Sequence, residues 1–160
     1  MLPWLPAAIA AVVLVQTDAG RSALAIGSWI VDAAGEGLAA EHVAMTLSSQ
    51  GSGVIAFTCR RQRASVVIGL NKTRFRTPVG ASTVVRIAIG DHRAETAAEV
   101  VSEESAHVDE GVTRDLLART NDGAVFSFTL PFVDGDDVTL VFRPVESTKA
   151  LGPLKAACNI

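Results

Sequence analysis

Apolar and polar residues alternate with a period of two along much of the chain, the pattern of strands with one face in a core. Residues 53–70, GVIAFTCRRQRASVVIGL, carry it most fully. Ile55, Phe57 and Cys59 share a face, Arg61-Gln62-Arg63 makes a basic turn, and residues 64–70 return with Val66 and Ile68 on one side. Upstream, Gly27-Ser28-Trp29-Ile30-Val31 reads as a first strand. Residues 41–49 then set Val43, Met45 and Leu47 against His42, Ala44, Thr46 and Ser48, which suits a half-buried antiparallel strand.

Residues 71–80, polar and carrying Pro78, read as a loop. Residues 83–89 alternate again, with Val85, Ile87 and Ile89 on one face. Residues 92–110 favour two short strands because their neighbours are antiparallel, although Ala and Glu around 95–104 also suit a helix. A short helix is expected over 112–119, ended by Thr120-Asn121-Asp122-Gly123. Two more strands follow, 124–130 and 138–143. Leu151, Leu154 and Cys158 then fall on one helical face. Pro153 cannot donate to a helix interior, so that helix is expected to start near Gly152 or to kink there. The predicted fold is all-β, an antiparallel sandwich or barrel with one or two short helices, including a C-terminal one.

A length of 160 residues suits one domain, and a net charge of −3 argues against a general nucleic-acid binder. Mean hydropathy is high at +0.34, and part of the reason is the uncharged run PWLPAAIAAVVLV at residues 3–15. That run is shorter than the roughly 20 residues of a membrane span. It has the length of a signal-peptide core, and Ala23-Leu24-Ala25 offers a small-x-small cleavage site. We therefore expect residues 1–25 to be a leader and 26–160 the mature domain, with a cut after Ala19 as the alternative. The expected location is periplasmic or secreted, with no stable membrane span once the leader is removed. The two cysteines are far apart and outside any CxxC, so downstream of a leader Cys59 and Cys158 read as one disulfide.

Candidate chemistry is sparse. His42, His92 and His107 each lie near a different acid, and no two sit at metal-ligand spacing. No GxSxG elbow surrounds any serine. Asp134, Asp136 and Asp137 lack the Gly and Glu of a calcium loop, since Thr139 and Val145 hold those places, and they read as a hairpin turn. The expectation is a protein without enzymatic activity, cofactor or metal. Charge is more informative. Arg60, Arg61, Arg63, Lys72, Arg74 and Arg76 fall in a stretch without acids, followed by an acidic stretch from Asp91 to Glu110. Two faces attracting each other within the domain would explain this. So would a docking patch for an anionic partner, an acidic protein surface or a polymer.

Several of these segments together resemble the periplasmic accessory proteins of type VI secretion, the VasI/TagO type. The resemblance rests on Trp29-Ile30-Val31, on Phe57-Thr58-Cys59 with its return strand 65–70, and on Ser82-Thr83-Val84-Val85-Arg86-Ile87. It rests most of all on the closing helix, two strands and Ala150-Leu151-Gly152-Pro153-Leu154-Lys155-Ala156-Ala157-Cys158. Ala88 stands where that family has an Asp, and the chain has no tyrosine. The resemblance implies an accessory or adaptor protein that binds another envelope protein, and it supplies no catalytic residue. A second resemblance, to the invasion-associated locus B type, rests on a similar final helix and implies a ligand-binding or inhibitor module.

Overall fold

The computed structural model describes residues 15–17, 21–34, 40–131 and 136–160. The strands in chain order are β1 (Val15–Thr17), β2 (Arg21–Ile26), β3 (Trp29–Ala34), β4 (Glu41–Leu47), β5 (Gly53–Arg60), β6 (Arg63–Leu70), β7 (Ser82–Ile89), β8 (His92–Ser102) and β9 (Ser105–Val108). Helix α1 (Glu110–Arg119) follows, then β10 (Phe126–Leu130), β11 (Val138–Phe142) and helix α2 (Ser147–Ala157). All strands pair antiparallel in one 11-stranded sheet of order β1-β2-β3-β4-β5-β6-β9-β8-β7-β10-β11. The all-β class, the two strands within 92–110 and both helices agree with the alternation read from the sequence.

The sheet folds over so that its two arms enclose one core. Phe57 on β5 meets Phe126 on β10 at 6.4 Å between ring centroids, and Trp29 on β3 lies 6.2 Å from Phe57. Near the fold line Ser49 N–H donates to the Val141 carbonyl at 2.8 Å, which brings β11 against the β4–β5 turn. Gly53 permits that approach, since a Cβ there would lie 2.5 Å from Leu140 Cδ1. The inward face of β5, Ile55, Phe57 and Cys59, is fully buried.

Residues 41–49 bury the face with fewer apolar residues. Ala44, Thr46 and Ser48 point inward, while Leu47 is 68% exposed. Helix α2 packs over β3, β4 and β5, and small side chains on β4 leave room for it. The polar atoms remain satisfied, because Thr46 Oγ1 donates to the Ser28 carbonyl and Ser48 Oγ accepts from Gly53 N–H.

Helix α2 begins at Ser147 rather than near Gly152 and runs through Pro153. Its start is anchored from outside. Trp29 Nε1 donates to Ser147 Oγ at 3.1 Å, and Asp122 Oδ1 accepts from Thr148 N–H at 2.9 Å, supplying the cap that Glu146 does not. The carbonyl four residues before Pro153 belongs to exposed Lys149, where water can replace the missing donor. Lys155 reaches from α2 to the Thr120 carbonyl that ends α1, and burial lowers its pKa.

The first strand expected from the sequence splits in the structure. Gly27, at φ +57°, and Ser28 form the turn, and β3 pairs on one side with β2 and on the other with β4. The expected leader boundary after Ala25 therefore falls inside β2, whereas residues 1–14 and 18–20 lie outside the described residues.

Candidate functional site

Strands β5 and β6 are joined by two residues, Arg61 and Gln62, with φ values of 50° and 61°. Positive φ at both positions gives the mirror-image turn that matches strand twist, a place usually taken by Asn-Gly. Holding two residues with side chains there is unfavourable by roughly 1–2 kcal/mol each. The turn is braced by Arg114 on α1, whose Nη2 donates to the Gln62 carbonyl at 2.7 Å and whose Nη1 donates to the Cys158 carbonyl at 2.9 Å. Its Nε donates to Glu110 Oε1 at 3.3 Å.

Beneath this turn Cys59 is bonded to Cys158, with 5.9 Å between their Cα atoms. Both are buried, and no free cysteine remains. The disulfide expected from the cysteine count is present. It ties the end of α2 to the end of β5, directly before Arg60.

On the outer face, Arg60 and Arg63 stand directly opposite each other, with Glu41 across from Arg60 on the other side. Like charges at opposed positions destabilise a sheet. One step inward Thr58 and Ser65 share a hydrogen bond of 2.6 Å. These residues, with Arg61, His107 and Glu110, line an open depression of about 620 Å³. Arg60, Arg61 and Arg63 are exposed and form no ion pair among the described residues.

The six cations singled out in the sequence do not gather in one place. Lys72, Arg74 and Arg76 follow the far end of β6, whose seven steps carry them roughly 23 Å away. Two of them are already engaged. Arg74 pairs with Glu103 at 3.1 Å, and Arg76 shares Asp137 with Arg86 at 2.9 and 2.7 Å. Attraction between the basic and acidic stretches is thus realised at Arg74–Glu103. The acids at the start of α1 act locally, Asp109 as the N-cap that accepts from Val112 N–H and Glu110 as a partner of Arg114. Within the expected hairpin turn, Asp134 lies outside the described residues and Asp137 is the arginine partner just given.

The histidines also remain apart. His42 is half-buried opposite Cys59, and His107 lies beside the arginine turn. His92 Nε2 is 3.0 Å from Asp115 Oδ2. It lines a larger depression of about 820 Å³ between the β7–β8 turn and the α1–β10 loop. There both arginines are engaged: Arg119 donates to both oxygens of Asp115, and Arg93 to the Gly90 and His92 carbonyls. Among the described residues no cluster of His, Cys, Asp or Glu could hold a metal ion. No helix among them is long and apolar enough to cross a membrane.

Sequence reasoning missed Arg114 and the Thr58–Ser65 pair, and it named His107 without placing it beside the turn. The pair was recoverable, since pairing Arg60 with Arg63 in a two-residue hairpin forces Thr58 opposite Ser65. Arg114 and His107 reach the turn from other elements and left no local signal. The chain matches no family model, no curated protein and no solved structure.

Proposed function

We propose that this chain is an exported accessory or adaptor protein of the bacterial envelope that acts in the periplasm by binding another protein. The resemblance noted above makes type VI secretion the system to test. The observation that carries the reading is the arginine turn of Arg60, Arg61 and Arg63, set over the Cys59–Cys158 bond with its guanidinium groups unpaired among the described residues. A disulfide closing most of the domain suits an oxidising compartment. An open cluster of arginines suits recognition of carboxylates.

The sheet also bears on the leader. A cut after Ala25 would remove all of β2 but Ile26 and open the edge of β3, leaving backbone donors and acceptors bare. A cut after Ala19 removes only the three-residue β1 and keeps the longer β2–β3 hairpin whole, and the reading takes that earlier site.

Partner capture from an envelope extract tests the function. The captured protein is expected to be released steeply as salt rises from about 0.05 to about 0.3 M, because the screening length of exposed charges falls from about 14 Å to about 6 Å over that range. Combined Arg60→Ala and Arg63→Ala substitution removes capture, while Arg74→Ala and Arg76→Ala leave it. Capture indifferent to both salt and the turn arginines would contradict the reading. The same open turn favours a second reading, an inhibitor or ligand-binding module of the invasion-associated locus B type. A captured enzyme that loses activity on binding would select it.

A further inference from the structure

The contacts of Arg114 connect two features that are separate in the sequence. One Nη holds the Gln62 carbonyl of the strained turn, and the other holds the carbonyl of Cys158 itself. Cys158 stays within reach because its sulfur is bonded to Cys59, the residue before Arg60. We infer that the Arg60–Arg63 turn docks an acidic segment of a partner protein, and that Arg114 is a positioning residue that makes this site depend on the Cys59–Cys158 disulfide. The inference rests on the adaptor reading above and names the partner chemistry and the regulation of that site.

Charge and surroundings select the occupant. Three guanidinium groups around an open depression match several separated carboxylates, each able to accept two parallel hydrogen bonds. Thr58 and Ser65 add hydroxyl groups at the floor. The carboxylates of Glu41 and Glu110 rim the same depression. Their repulsion weighs more against a densely charged polyphosphate than against a peptide with spaced acids. That combination fits a polypeptide better than a uniformly charged polymer.

The disulfide sets the geometry through a short chain of contacts. It fixes the end of α2, the Cys158 carbonyl orients Arg114, and Arg114 holds Gln62 at positive φ. With the bond reduced, the carbonyl is no longer fixed beside Arg114, and the turn can relax from the conformation that spreads its arginines. An adaptor built this way engages its partner only after oxidation.

Binding of a fluorescein-labelled oligoglutamate peptide to the full chain, followed by anisotropy at low salt, tests the inference. The oxidised protein binds, and Arg61→Gln weakens binding about tenfold, the loss of one charge-assisted contact worth about 1.4 kcal/mol. Arg74→Gln at the far end changes binding less than about twofold, because that guanidinium is already paired with Glu103 and lies at the opposite end of β6. Reduction weakens binding of the wild type. Arg114→Lys keeps the charge but loses the fork, so it weakens binding with the disulfide intact and removes the sensitivity to reduction. Circular dichroism run alongside shows that this variant is folded.

Absence of peptide binding would overturn the inference, as would equal losses from Arg61→Gln and Arg74→Gln, or Arg114→Lys behaving as wild type. Tighter, Arg61-dependent binding of inorganic polyphosphate would overturn the choice of an acidic peptide. Partner capture tests the adaptor reading separately, so that reading can stand where this inference fails.

Discussion

Replacing Cys59 or Cys158 by serine is expected to lower the unfolding free energy by about 4–5 kcal/mol, from the closure entropy of a loop of this size. The bond spans 99 residues, so every described strand from β6 onward, and both helices, lie inside the loop. Either substitution breaks the same link and leaves one buried thiol. The two single variants should therefore be destabilised alike, and the double variant should lie within about 0.5 kcal/mol of them. Urea denaturation of all three checks this. A clear difference between the singles would mean that the two sulfurs contribute separately rather than through one bond.

Phe126→Ala is the second large effect. The Phe126 ring lies 5.4 Å from Phe142, 6.3 Å from Phe128 and 6.4 Å from Phe57. It is 2% exposed. It joins the two arms of the folded sheet, so its loss opens a cavity where neither arm can close without moving the other. The expected destabilisation is about 3–5 kcal/mol. Phe126→Leu should lose about half as much, because most of the volume remains. Thermal melts of the oxidised protein measure both. A loss below about 1 kcal/mol for Phe126→Ala would show that the arms pack independently of this contact.

Strand alternation was legible wherever large apolar residues marked the inner face. Ile55, Phe57 and Cys59 on β5, Val85, Ile87 and Ile89 on β7, and Phe126, Phe128 and Leu130 on β10 all lie inward. It failed on β4, where the inner residues are Ala44, Thr46 and Ser48 and the larger Leu47 faces out. There the packing of α2 decides the face, and hydrophobicity along the strand does not record it. The start of α2 was hidden for a similar reason. Its cap comes from Asp122, in the loop after α1, and Pro153 drew attention to the wrong boundary.

The arginines were legible as a compositional feature but not as a place. Linear proximity put Lys72, Arg74 and Arg76 with Arg60, Arg61 and Arg63, yet an eight-residue strand separates the two groups. What makes the near group distinct is Arg114, 52 positions from the Gln62 carbonyl it holds. No local pattern announces a contact over that span. The disulfide was easier to read, because two cysteines leave only one pairing.

Intact mass of the protein recovered from the envelope fraction, alkylated without prior reduction, tests the central claim most directly. The account predicts a chain that begins at Gly20, with neither Cys59 nor Cys158 alkylated. A chain that begins at Met1 and carries two alkylated thiols would contradict it.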